Sequence, residues 1–105
     1  MNVKEYITNL PHKVPSELVE GLETLFHFDI GGPESAQYTI SLKDNKVNVE
    51  EGLHGDPECV VSGTEENLEK VLSGQLNAVM AVMTGKIKIS DPAAMMKYAK
   101  IFGLM

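Results

Sequence analysis

A chain of 105 residues with 43% hydrophobic and 23% charged side chains has material for one core and no length for a separate cofactor-binding domain, so a single domain over residues 1–105 is expected. Nine lysines face fifteen acids for a formal charge of -6 and no arginine occurs, which argues against nucleic acid as a partner: phosphates and base edges favour the guanidinium fork, and an acidic chain is repelled by their backbone. The one cysteine, Cys59, has no intrachain partner, no basic-then-apolar leader opens the chain, and the longest apolar run, Ala78 to Met83, is far below the about 20 residues of a membrane span, so a reducing cytoplasm is expected.

Val3, Tyr6, Ile7 and Leu10 recur at helical spacing and predict a helix over residues 2–10, ended by Pro11. Leu18, Val19 and Leu22 predict a second short helix over 15–22. From Leu25 the period changes to two. Phe26, Phe28 and Ile30 alternate with His27 and Asp29 until Gly31-Gly32-Pro33 turns the chain. Tyr38, Ile40 and Leu42 repeat the alternation, and Lys43-Asp44-Asn45-Lys46 leads into Val47 and Val49, which makes a hairpin. After a loop from Gly52 to Pro57, Cys59 and Val61 point inward from a fourth strand, read as part of the same antiparallel meander.

Thr64 caps a helix whose first turn holds Glu65 and Glu66 and whose stripe is Leu68, Val71 and Leu72; Gly74 suits the position beyond its end. Asn77 caps a further helix from Ala78 to Thr84 that is apolar on every side and therefore expected to be buried all round. Lys86 to Ser90 alternates as a fifth strand. Asp91-Pro92 then opens a last helix with Met95, Tyr98, Ala99 and Phe102 as its stripe. This order predicts an α+β fold, a five-stranded, mainly antiparallel sheet with helices covering one face.

Polar chemistry is sparse. His54, Asp56, Glu58 and Cys59 match no metal-ligand spacing and alternate between loop and strand, so neither a metal nor a cofactor is assigned. Cys59 reads as a small buried hydrophobe. Gly52-Leu53-His54-Gly55 has the form of a nucleic-acid backbone clamp but lies among Glu50, Glu51, Asp56 and Glu58. Gly31-Gly32-Pro33 lacks the following helix of a phosphate loop. The feature that stands out is apolar: Met80, Met83, Met95 and Met96 flank the strand of Ile87 and Ile89. Periodicity leaves two readings open, ordinary core or an adaptable apolar cavity.

The run Leu72-Ser73-Gly74-Gln75-Leu76-Asn77, followed by Met80-Ala81-Val82-Met83-Thr84-Gly85-Lys86-Ile87-Lys88-Ile89, resembles the sterol carrier protein type 2 family, in which a loop-helix segment ends at Gly-Lys-[Leu/Ile]-Lys-[Ile/Val]. Phe26-His27-Phe28-Asp29-Ile30-Gly31-Gly32 is similar to that family's first strand, and Val47-Asn48-Val49-Glu50-Glu51-Gly52 to a later strand end. The likeness runs in order over about residues 15–102. Val82 stands where the family commonly has an aromatic residue and Ser90 where a glycine is common. The resemblance implies an apolar tunnel between sheet and helices that binds a fatty acid, acyl-CoA or sterol-like lipid without a catalytic residue set, in a short stand-alone member.

On this reading Phe28, Ile40, Val61, Met83 and Ile87, each the inward member of its element, form the wall between sheet and helices. Val79, Met80, Met95, Ala99 and Phe102 are expected to join them around a long-chain lipid. The last helix is expected to close one end of the tunnel. Residues 1–85 carry a charge of -9 and residues 86–105 one of +3, so Lys97 and Lys100 are expected to meet a lipid head group or, transiently, an anionic membrane surface. Two rivals remain: an oligomerisation module, such as a homodimer, holding a protein partner in the same cleft, and an acyl-thioester enzyme relying on Cys59 or His27.

Overall fold

Residues 3–32, 35–98 and 101 are described in a computed structural model of the chain. Among them the alternating segments form five strands: β1 Thr24–Gly31, β2 Ala36–Lys43, β3 Lys46–Glu51, β4 Cys59–Thr64 and β5 Ile87–Ile89. Three short helices come first, α1 Val3–Thr8, α2 Leu10–Lys13 and α3 Ser16–Val19. Then α4 Glu65–Leu72 and α5 Ala78–Met83 link β4 to β5, and α6 Pro92–Lys97 follows. Pro11 does not end a helix as expected. The first helix stops at Thr8, and Pro11 lies in the opening turn of α2, where its missing N–H has no partner to lose.

The sheet order is β3-β2-β1-β4-β5, with β1–β4 parallel and the other three pairings antiparallel. The expected α+β architecture holds, with one correction. Rather than extending the meander beyond β3, β4 crosses to the far side of β1, where Phe26 pairs with Cys59 and Phe28 with Val61. Alternation fixes which face a residue takes and says nothing about which strand lies beside it. Between β2 and β3, Asp44 and Asn45 both adopt positive φ, 53° and 60°, as a two-residue turn that matches strand twist requires.

One face of the sheet carries Phe26, Phe28, Ile30, Tyr38, Ile40, Leu42, Val61 and Ile87, and the helices pack on it. The other face carries His27, Thr39, Ser62 and Lys88. The loop of residues 52–58 crosses this second face and satisfies its two buried polar side chains. His27 Nε2 donates to the His54 carbonyl at 2.8 Å, while Thr39 Oγ1 donates to the Gly52 carbonyl at 2.8 Å and accepts from His54 N at 2.9 Å.

Side chains cap the later helices as the sequence predicts. Thr64 accepts from Asn67 N at 3.2 Å, Asn77 from Val79 N at 2.8 Å and Met80 N at 3.2 Å, and Asp91 from Ala94 N at 3.1 Å. A second correction concerns α5, which is not buried all round. Ala81 is fully buried, but Val79, Met80 and Met83 are 56%, 52% and 75% exposed. A helix of six residues lying beside edge strand β5 has only one side to give to the core. In α6, Ala94 and Met95 are buried, with Tyr98 following. Ala99, Lys100 and Phe102 lie outside the described residues.

Candidate functional site

The apolar face of the sheet ends in a small void beneath the helices. Phe28, Val61, Ile87 and Ile89 form its floor from β1, β4 and β5. Val3, Tyr6, Ile7 and Leu10 reach it from α1 and α2, and Leu68, Val71 and Leu72 from α4. Ala78 and Val82 of α5 and Met95 of α6 complete the lining. Gly63 lets α4 settle close to the floor: a Cβ there would lie 3.3 Å from Ile87 Cγ1 and 3.5 Å from Leu68 Cγ.

The enclosed volume is about 50 Å³. Ligand pockets for drug-sized molecules measure about 300–1,000 Å³, so a cavity of this volume has no room for a long chain. Tyr6 supplies the one hydroxyl among the lining side chains. Burial pushes the Tyr6 phenol above its ordinary range, which keeps it neutral, and the Lys13 amine lies 4.6 Å from its ring centre. Walls of this kind offer neither a proton-transfer pair nor a nucleophile. They offer a place to exclude hydrocarbon from water.

The expected site residues divide by position. Phe28, Val61, Ile87 and Met95 border the cavity. Ile40 is fully buried on the same sheet face, but it pairs with Phe26 and Val49 away from the void. Val79, Met80 and Met83 point outward from α5, so Ala78, Ala81 and Val82 supply its inner side. Lys97 is exposed, its amine 5.7 Å from the Tyr98 ring centre, and Ala99, Phe102 and Lys100 lie beyond the described residues.

Sequence reasoning did not assign the contributions of α1, α2 and α4. Their stripes are plain in the sequence, yet the same spacing serves a filled core and a cavity wall.

The end of α6 is tied to the sheet by Tyr98. Its ring meets Phe26 edge-on, with centroids 5.0 Å apart and planes at 69°, and its hydroxyl donates to Glu58 Oε1 at 3.4 Å. Burial, then the Glu58 charge and this hydrogen bond, push the Tyr98 phenol upward. Thr24 Oγ1 donates to the same Glu58 oxygen at 2.9 Å. Cys59 is buried, its Sγ 3.6 Å from the Asp91 carbonyl. Among the described residues, no three His, Cys, Asp or Glu side chains converge on a point where a metal would sit.

The profile of the SCP-2 sterol transfer family matches residues 4–103. The hydroxysteroid dehydrogenase-like protein 2 of Xenopus laevis is 29% identical over 98% of this chain, and that of Homo sapiens 28% over 98%. The chain spans 25% of the length of each. The solved sterol carrier protein domain 2 of Helicoverpa armigera superposes with a TM-score of 0.78 at 24% identity, over 95% of this chain and 84% of that one. Apo sterol carrier protein 2 from Yarrowia lipolytica gives 0.70 at 20% identity, over 97% and 85%. These structural likenesses establish a shared fold. Because the profile match runs through every element that walls the cavity, the chain belongs to the SCP-2 sterol transfer family.

Proposed function

We propose that the cavity is the closed form of a lipid site and that the protein binds and carries one long-chain lipid, a fatty acid, acyl-CoA or sterol-like molecule, without transforming it. The observation that carries this reading is the lining itself, apolar throughout save for one hydroxyl held neutral. Each methylene moved from water into such a site contributes about 0.8 kcal/mol, so a long chain supplies ample driving force even after the walls are displaced. Displacement is necessary at 50 Å³.

The wall best suited to move is α5. Among the described residues, its hydrogen bonds close within 77–86, and Gly74 and Gly85 flank it at φ of 83° and 78°, each with open space where a side chain would stand. Phe28, Val61, Ile87 and Met95 would then touch the chain of the lipid, with Ala99 and Phe102 continuing the stripe in sequence. Lys97, followed by Lys100, complements an acidic head group or the anionic membrane that supplies the lipid.

Native mass spectrometry of the purified protein, before and after incubation with oleate, tests the reading. One lipid per chain is expected. A dimer without lipid would contradict it and favour a module that holds a protein partner in the same cleft.

A further inference from the structure

The lining of the cavity has one polar corner, and it lies on α1. Tyr6 is half-buried and borders the cavity beside Val3, Ile7 and Leu10, while the exposed Lys13 places its amine 4.6 Å from the Tyr6 ring centre. Tyr6 stands within α1 and Lys13 ends α2, so the junction of two short helices brings the pair together. Burial keeps the phenol protonated at neutral pH, which makes it a donor with no charge of its own. Lys97 also lies over a ring, but that ring is Tyr98, which packs on Phe26 and does not border the cavity. In a chain of net charge -6, residues 3–14 hold Lys4 and Lys13 against the one acid Glu5. Glu69, an acid of α4 that reaches α1, is engaged by Val3 N at 3.2 Å.

We propose that Tyr6 and Lys13 form the polar end of the lipid site and select a single-chain acid, its carboxylate held at the rim and its hydrocarbon in the opened cavity. The proposal rests on the lipid-carrier reading and places the head group at Lys13 in preference to Lys97. A carboxylate takes a hydrogen bond from the phenol and positive charge from the ammonium, and charge-assisted bonds are about twice as strong as neutral ones. A sterol hydroxyl would use the phenol alone. A coenzyme A thioester would bring several phosphate charges to a segment with two lysines. Lys13, on a flexible stem, meets the head group while its ammonium stays in water, which avoids the cost of burying an unpaired charge. Because α4 packs against both α1 and α5, a tail anchored at Tyr6 would run beneath Leu68, Val71 and Leu72 toward the movable wall.

Oleate and oleyl alcohol share a hydrocarbon chain and differ at the head, so the ratio of their affinities reads the corner separately from the cavity. Displacement of an environment-sensitive dye measures both, with circular dichroism of every variant. Lys13→Gln should lower the oleate-to-alcohol ratio about fivefold with alcohol affinity unchanged. Tyr6→Phe should weaken oleate more than the alcohol, and the double variant should lower the ratio about tenfold or more. Lys43→Gln, at the β2–β3 turn, should leave the ratio as it is. A ratio that the double variant does not change, with both lipids bound, would overturn the proposal and leave the carrier reading standing. So would a ratio that falls with Lys97→Gln and not with Lys13→Gln. Binding of neither lipid by the wild-type protein would remove the carrier reading and the corner with it.

Discussion

Ile40 and Ile87 are both isoleucines on the helix-covered face of the sheet, yet they meet different surroundings. Ile40 is sealed between Phe26 and Val49, and Ile87 borders the void. Removing buried methyl groups costs their transfer free energy plus a term for the space left behind, and a wall that already faces empty space loses fewer contacts. Ile40→Ala is therefore expected to destabilise by about 4 kcal/mol and Ile87→Ala by about 2 kcal/mol, measured by urea unfolding at neutral pH. A larger cost at Ile87 than at Ile40 would mean that the void does not lie beside Ile87. The two phenols make a further prediction. Tyr6 and Tyr98 both have raised values in the folded protein, so each binds its proton more tightly than in the unfolded chain. Their contribution to stability is full below about pH 10 and is lost as pH rises through the raised folded-state values. Thermal melts should show stability falling above that pH, and Tyr6→Phe with Tyr98→Phe should flatten the fall.

At the level of elements, alternation at Phe26-Phe28-Ile30 and Tyr38-Ile40-Leu42 marks the apolar face of each strand in the sequence itself, and Thr64, Asn77 and Asp91 mark their helix starts by the chemistry of the cap. The position of β4 is not legible in that way, because the loop 52–58 crosses the polar face on bonds to His27 and Thr39, whose alternation marks that face and not the strand that will lie beside it. The exposure of α5 escapes the sequence for a related reason: an apolar helix reads as buried until a missing neighbour on one side becomes visible. Asn77 holds the first turn of this helix through two backbone amides. Asn77→Ala should cost about 1 kcal/mol and, by loosening a movable wall, raise the rate of fatty-acid uptake more than the equilibrium affinity. Stopped-flow binding separates the two, and an unchanged uptake rate would argue for entry elsewhere.

For the whole molecule, the order of elements and the family are legible because Gly85-Lys86-Ile87-Lys88-Ile89 and the first-strand segment occur together in sequence order. The cavity is only partly legible. Phe28, Val61, Ile87 and Met95 lie where their stripes predict, but which stripes close over filled space and which leave a gap depends on lengths and crossings that no single helix records. On this account the protein is closed at rest and must open one wall to take up its ligand. Methyl NMR of Ile-, Val- and Met-labelled protein titrated with oleate tests that claim most directly. Saturable shifts are predicted at Val61, Val82, Ile87 and Met95 with Ile40 nearly unmoved, and absence of binding, or shifts that bypass these four residues, would contradict it.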